Sequence, residues 1–300
     1  MSQPLTNVGS RTAAYGPAEW GLTLVIGLIW GSAFLWIALG VDDLSPGVVA
    51  FGRVALGAVA LAAFPAARRS IERADWRRVA AVAILGNAAP ALLYAIAETE
   101  LDSAVAGMIT SGVPILSLTI ASLMLRKLPG RHQTIGISLG FAGIVMMTWP
   151  SLRGAEANPV GVGLVLLATL GYGISGNLLV PLQQRYGGPA VTLWALIGSS
   201  VLLLPFGIAT VSESEFTSTA VIAVVILGIV GTGVARSLAA TLAGRAGAPR
   251  MSTTTYLIPV IAIILGVVFR SETVAPLAIG GVAVVLAGAF IASRAVSARE

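Results

Sequence analysis

Apolar residues fill the chain in ten runs, separated by short polar or Pro/Gly-rich segments. A helix needs about 20 apolar residues to cross the hydrocarbon core of a bilayer, so each run predicts one transmembrane helix. The chain is therefore predicted to be an all-α integral membrane protein. The predicted spans are residues 19–40, 46–67, 77–98, 103–125, 132–150, 160–184, 189–211, 218–243, 250–270 and 274–293.

The boundary between the first two runs is the least obvious one, because a single long helix is conceivable there. Asp42 and Asp43 are adjacent carboxylates, and Ser45-Pro46 follows them. Two carboxylates and a proline would be costly within lipid. The sequence therefore predicts a tight turn at this point.

The positive charges are distributed unevenly between the two ends of the predicted spans. The chain has 18 lysine and arginine residues. With the N-terminus in the cytoplasm, only Arg153 and Arg270 fall on the opposite side, Arg53 and Arg236 fall within spans, and all the others lie on the cytoplasmic side. The positive-inside rule then places both termini, residues 1–18 and 294–300, in the cytoplasm.

The second half of the chain repeats the first at an offset of 145 residues. Five spans per repeat is an odd number, so the second copy must enter the membrane from the opposite side. The predicted repeats, 19–150 and 151–293, are thus inverted, an arrangement that lets a transporter open alternately to each face. The register pairs Gly86 with Gly231, Thr110 with Thr255, Pro114 with Pro259, Gly136 with Gly281, and Gly143 with Gly288.

An aromatic residue followed by glycine lies midway along the first helix of each half, Trp30-Gly31 in LIWGSAF and Tyr172-Gly173 in LGYGISG. With a central proline in each fourth helix and a Gly-rich fifth helix, the chain resembles the drug/metabolite transporter superfamily, specifically its EamA-type ten-helix exporters. Relatives often carry Gly-Glu at the end of the fourth helix, where this chain has Arg126-Lys127 and Ser271-Glu272.

The resemblance covers nearly the whole chain and implies a multi-pass protein of the bacterial inner membrane that exports small polar or amphipathic metabolites. Bacterial members of the family include exporters of aromatic and other amino acids. We therefore expect a secondary transporter for amino acids that works by alternating access. The alternative is export of amphipathic drugs or nucleotide-sugar-like metabolites, although two in-span cations are few for a polyphosphorylated substrate.

Other classes of function lack the residues that they need. Cysteine is absent and His132 is the only histidine, so neither a thiolate nucleophile nor a His/Cys metal site is expected. The only lysine, Lys127, is not in a phosphate-binding loop, and no convergent nucleophile and base indicate an enzyme. We expect no cofactor and no nucleic acid, only a small-molecule substrate and the lipid bilayer as partners of a monomer. No acidic residue lies near a span's midpoint, which favours facilitation or exchange and leaves proton coupling open.

Prolines in the fourth helix of each half are candidate hinges. Pro114 and Pro259 cannot donate to the carbonyls of Thr110 and Thr255, four residues earlier. These carbonyls and hydroxyls would offer acceptors to a substrate in a central cavity, unless each proline only curves its helix. Ser111 and Tyr256 follow the two threonines directly, and the repeat pairs them with each other. They are therefore added to the candidate lining.

Aromatic and amide groups add to the candidate substrate-binding residues. Trp30 and Tyr172 fall at mid-span, where the interfacial aromatic belt does not account for them, so they either stack on a substrate or pack against neighbouring helices. Asn87, Pro90 and Tyr94 form one helical stripe, and Pro90 also releases a carbonyl, that of Gly86. The stripe suits a wet cavity wall, while an interhelical hydrogen bond is the alternative for Asn87.

The two arginines within spans are candidates because a charge exposed to lipid is costly. Arg236 is predicted to hold a substrate carboxylate. Both Arg236 and Arg53 lie close enough to a span end to snorkel instead, Arg236 toward the cytoplasm and Arg53 toward the outside.

Overall fold

The computed structural model describes residues 16–124, 131–153, 158–246 and 251–297, and these contain helices and no strand. The all-α prediction with ten membrane helices is confirmed. Arg126-Lys127 and most of the N-terminal segment lie outside the described residues. The helices are α1 (Pro17–Val41), α2 (Pro46–Ala62), α3 (Trp76–Ala83, Ile84–Ala88 and Ala89–Ala97), α4 (Ser103–Thr110 and Val113–Met124), α5 (Arg131–Arg153), α6 (Pro159–Tyr186), α7 (Gly188–Ala209), α8 (Ser218–Ile226, Leu227–Val234 and Ala235–Ala246), α9 (Ser252–Tyr256 and Ile258–Arg270) and α10 (Pro276–Ser297).

The outer surface of the bundle is apolar, as lipid contact requires. Large side chains such as Leu24, Val201, Ile208 and Phe269 are exposed on it. A soluble protein rarely exposes so much apolar surface. Within the described residues, five helical stretches are long and apolar enough to cross a membrane by length and composition, and five more are shorter apolar helices.

Local signals set where the helices begin. Ser45 caps α2 by accepting from the Val48 amide, and Pro46 occupies the first helical position, where no amide is needed. The tight turn predicted at Asp42-Asp43 is confirmed, since α1 ends at Val41. Thr217 caps α8 by accepting from an amide in its first turn.

The helices pack with the symmetry of an inverted repeat. Equivalent helices of the two halves pack against each other in the pairs α2–α7, α4–α9 and α5–α10. In addition, α3 packs on α6, and the equivalent helices of the other half, α8 and α1, are also in contact. Glycines of α5 and α10 show the symmetry residue by residue. Gly143 packs on the Gly281 backbone, and Gly288 packs on the Gly136 backbone, leaving no room for a Cβ. The repeat register exchanges these two contacts, because it pairs Gly136 with Gly281 and Gly143 with Gly288.

Each half also contains one widened, π-helical segment at equivalent positions, Ile84–Ala88 in α3 and Leu227–Val234 in α8. In both segments a side chain donates to the carbonyl five residues earlier. Asn87 Nδ2 bonds the Val82 carbonyl at 3.1 Å, and Thr232 Oγ1 bonds the Leu227 carbonyl at 2.9 Å. Such segments leave carbonyls out of the regular helix ladder and often occur at functional sites.

The prolines of α4 and α9 lie just after an interruption of each helix, and not within one curved continuous helix, which was the alternative interpretation. Pro114 and Pro259 are each the second residue of a new segment, Val113–Met124 and Ile258–Arg270. The preceding segments end before them, at Thr110 in α4 and Tyr256 in α9. A proline is tolerated in a first turn because its missing amide has no helical partner there. The two halves thus share a broken fourth helix.

Polar contacts between the two halves close the bundle at one face. We call the face where α1 begins the N-terminal face, and the other the opposite face. At the opposite face, Glu272 accepts from the backbone amides of Ser103 and Ala104 at the start of α4, at 3.1 and 2.9 Å. Arg270 forms a two-point ion pair with Asp42 at the end of α1.

Candidate functional site

A cavity of about 160 Å³ lies between the two halves, and eight of the ten helices line it within the described residues. Among the side chains that the structure describes, none from α5 or α10 is in the lining. Both repeats therefore build the cavity, as expected for a binding site on the axis that relates them.

The cavity extends from the middle of the bundle toward the N-terminal face. Its lining includes residues close to the N-terminal-face ends of five helices: Val82, Leu179, Thr192, Ala240 and Met251. Toward the opposite face it reaches Ile37, beyond which the contacts of Glu272 and Arg270 join the helix ends. The conformation is therefore closed at the opposite face.

Aromatic rings form one wall of the cavity. Tyr94 stacks on Tyr172 with ring centres 5.9 Å apart, and Phe34 meets Tyr94 edge-on at 5.6 Å. Trp30, half-buried, lines the cavity one helical turn before Phe34. The Tyr94 hydroxyl is 2.6 Å from that of Thr110, and since Thr110 donates to the Ala106 carbonyl, Tyr94 is the donor of the pair.

Arg236 enters the cavity and is fixed by groups from the other elements. Its Nη1 donates to the Gly86 carbonyl at 2.7 Å, in the widened segment of α3. Its Nη2 donates to the Tyr172 hydroxyl at 3.1 Å, and the guanidinium lies 5.3 Å from the centre of the Tyr172 ring. Arg236 Nε is buried and has no hydrogen-bond partner in the part of the chain that the structure describes. The Nε–H of this fixed guanidinium is therefore unpaired.

Arg53 is a second cation in the lining. The side chain is only 5% exposed, and its Nε donates to Thr232 Oγ1 at 3.2 Å, within the bundle. Among the described residues no other part of its guanidinium has a hydrogen-bond partner. The alternative that Arg53 and Arg236 snorkel to the membrane surface is therefore wrong, since both point inward.

Seven of the nine predicted substrate-binding residues line the cavity, namely Trp30, Asn87, Tyr94, Thr110, Tyr172, Arg236 and Thr255. Ser111 and Tyr256 do not. The Ser111 hydroxyl is fully buried within α4 and donates to the Met108 carbonyl, and Tyr256, beside Thr255, lies on another face of its segment.

Sequence reasoning missed several lining residues that follow a predicted one at helical spacing. Phe34 lies four residues after Trp30, and Ser175 lies three after Tyr172. The helical period alone was the signal that could have found them. Thr192 in α7 carries no comparable signal.

The sequence profile of the EamA-like transporter family matches residues 20–149 and again residues 159–294. The chain belongs to this family of membrane transporters, as the aromatic-Gly and proline positions indicated. Its two-repeat architecture is that of the family.

Curated relatives point to export. The chain is 26% identical, over 92% of its length and 93% of the relative, to the "Probable terminal-alkyne amino-acid exporter" of Streptantibioticus cattleyicolor. It is 22% identical, over 90% and 93%, to the "Probable amino-acid metabolite efflux pump" of Salmonella typhimurium. It is also 26% identical, over 84% and 83%, to the "Uncharacterized inner membrane transporter YedA" of Escherichia coli.

A solved structure agrees on the fold. That crystal structure aligns with a TM-score of 0.68 at 15% identity, covering 94% of this chain and 99% of its own. At this identity the likeness shows a shared fold and nothing about the substrate.

Proposed function

We propose that the protein exports amino acids, aromatic and other, across the bacterial inner membrane by alternating access. The observation that carries this proposal is Arg236, held at its two Nη atoms and left with a free, buried Nε beside an aromatic wall. A guanidinium with an unused donor binds a carboxylate strongly, and aromatic rings accept an apolar side chain. The names of two relatives, a probable terminal-alkyne amino-acid exporter and a probable amino-acid metabolite efflux pump, support the same class of substrate.

The mechanism follows from the symmetry and the closed face. With both termini in the cytoplasm, the cavity extends toward the cytoplasm and takes up substrate there. The substrate carboxylate binds Arg236, and its side chain rests against Trp30. Exchange of conformation between the two halves then parts α4 from α9 at the opposite face and releases the substrate outside. The broken helices α4 and α9, with Pro114 and Pro259, are the proposed hinges.

The test is counterflow in proteoliposomes with a panel of labelled amino acids and cationic drugs. Arg236→Gln removes a charged donor whose hydrogen bonds are worth about 1.5–3 kcal/mol, so amino-acid affinity should fall roughly 10- to 100-fold. The matched control is Arg77→Gln, an equal change of charge at an exposed arginine outside the cavity. Equal loss in both variants, or counterflow of lipophilic cations only, would contradict amino-acid export and favour the drug-exporter alternative.

A further inference from the structure

Two buried polar atoms of the cavity-lining residues have no hydrogen-bond partner within the described ranges, and the two atoms are complementary. Arg236 Nε is a donor, and Asn87 Oδ1 is an acceptor. Buried polar atoms in proteins are nearly always hydrogen-bonded, so an unpaired pair in a cavity indicates where a ligand binds. Both residues border the same cavity, and Arg236 is bonded to the carbonyl of Gly86, the residue just before Asn87.

Asn87 is oriented by the fold and does not need the ligand to place it. Its Nδ2 donates to the Val82 carbonyl in the widened segment of α3, which leaves Oδ1 as the free end of the amide. An oxygen held in this way accepts a hydrogen bond and repels another acceptor. The ligand must therefore present a donor to Asn87 beside the acceptor that it presents to Arg236.

The charge of the lining decides what kind of donor this is. Arg53 and Arg236 are the charged residues among the described lining, and no aspartate or glutamate is present there. A carboxylate held by Arg236 brings the ammonium of an α-amino acid close to the same guanidinium. The Tyr172 face that would attract an ammonium is already covered by Arg236, with 5.3 Å from guanidinium to ring centre. An ammonium would lose its hydration and meet like charge without a counter-charge.

We infer that the preferred substrates are aromatic or apolar carboxylic acids whose neighbouring donor is uncharged, namely N-acyl amino acids and 2-hydroxy acids. The carboxylate accepts from Arg236 Nε, the amide N–H or hydroxyl donates to Asn87 Oδ1, and the ring rests on Trp30. This inference rests on one part of the proposed function, the binding of a substrate carboxylate by Arg236, and departs from it in the group that lies beside that carboxylate.

The experiment compares four probes in counterflow with the full chain in proteoliposomes: 3-phenyllactate, N-acetylphenylalanine, phenylalanine and phenethylamine. The half-saturation concentrations of the first two should be about tenfold or more below that of phenylalanine, and phenethylamine should not exchange. Thermal stabilisation of the purified protein by each probe gives a second, independent readout.

The outcomes separate this inference from the proposed function. If phenylalanine exchanges as well as or better than the uncharged-donor acids, the inference is overturned and amino-acid export stands. If only 3-phenyllactate and N-acetylphenylalanine exchange, the inference stands and amino-acid export fails. Exchange of phenethylamine alone, or neither exchange nor stabilisation by any probe, overturns both.

Asn87→Asp tests the residue that makes the selection. The new carboxylate would supply the missing counter-charge, so the ratio of phenylalanine to 3-phenyllactate exchange should rise about tenfold or more. A merely structural role for Asn87 would lower both rates together and leave their ratio unchanged, which would refute the assignment. Asn87→Ala covers the case in which the aspartate does not fold, since it should weaken 3-phenyllactate and N-acetylphenylalanine without any gain for phenylalanine.

Discussion

Replacing Glu272 with alanine should open the transporter at the face opposite the termini. Glu272 follows α9, and its carboxylate accepts from the Ser103 amide, the Ser103 hydroxyl and the Ala104 amide at 3.1, 2.6 and 2.9 Å. A carboxylate of the second half thus caps a helix of the first half. This contact exists only while α4 and α9 remain together at this face.

The size of the effect follows from the contact. Hydrogen bonds to a charged group contribute about 1.5–3 kcal/mol, and the amides left by the substitution can be hydrated at this end of the bundle. We therefore expect the closed state to lose about 2 kcal/mol of stability relative to the state that is open at the opposite face. Because about 1.4 kcal/mol corresponds to a factor of ten in an equilibrium constant, the population of the open state should rise about 30-fold.

Thiol labelling measures that population directly, because the chain contains no cysteine. Ile37→Cys places a thiol in the lining at the end of the cavity nearest the opposite face. A membrane-impermeant thiol reagent added at the opposite face should modify it about 30-fold faster in the Glu272→Ala background. Glu213→Ala is the matched control, an exposed carboxylate at the same face with no side-chain partner among the described residues. An unchanged labelling rate in Glu272→Ala would refute the claim that this contact keeps the face closed.

Three further results are expected. Tags at both termini should react only from the cytoplasm and a tag near Glu213 only from outside; an extracytoplasmic C-terminus would contradict the even number of spans. Ser271 has a φ of +53°, a left-handed conformation that costs a non-glycine residue about 1 kcal/mol. Ser271→Gly should therefore raise the unfolding temperature, and an unchanged or lower unfolding temperature would refute this strain. Tyr172→Phe removes the hydroxyl that accepts from Arg236 Nη2, so carboxylate counterflow should require several-fold more substrate. An unaltered half-saturation concentration would show that this hydroxyl does not position the guanidinium.

The sequence by itself determined the number and type of the helices. Lipid offers no hydrogen-bond partner to the backbone, so a long apolar run has few structures open to it other than a helix. Span ends are less well determined by hydropathy. The second span, predicted as 46–67, ends as α2 at Ala62, because Pro65 starts a separate short turn, Pro65–Arg68.

The sequence also determined much of the candidate site, because the repeat register and the positions of the prolines can be recognised without the tertiary structure. Trp30, Tyr172 and Thr110 were predicted in the cavity and line it. Ser111 was predicted with them, but adjacent residues on a helix point about 100° apart, so a neighbour of a lining residue faces elsewhere.

Only the tertiary structure decided what the two in-span arginines do. Their positions within the predicted spans, close to a span end, allowed them either to snorkel or to point inward, because a long side chain reaches several ångströms in any direction. The direction is set by partners distant in the chain: Thr232 of the second half for Arg53, and the Gly86 carbonyl of the first half for Arg236. These partners meet the arginines only when the inverted halves are packed together, and that packing also leaves Arg236 Nε and Asn87 Oδ1 without a hydrogen-bond partner among the described residues.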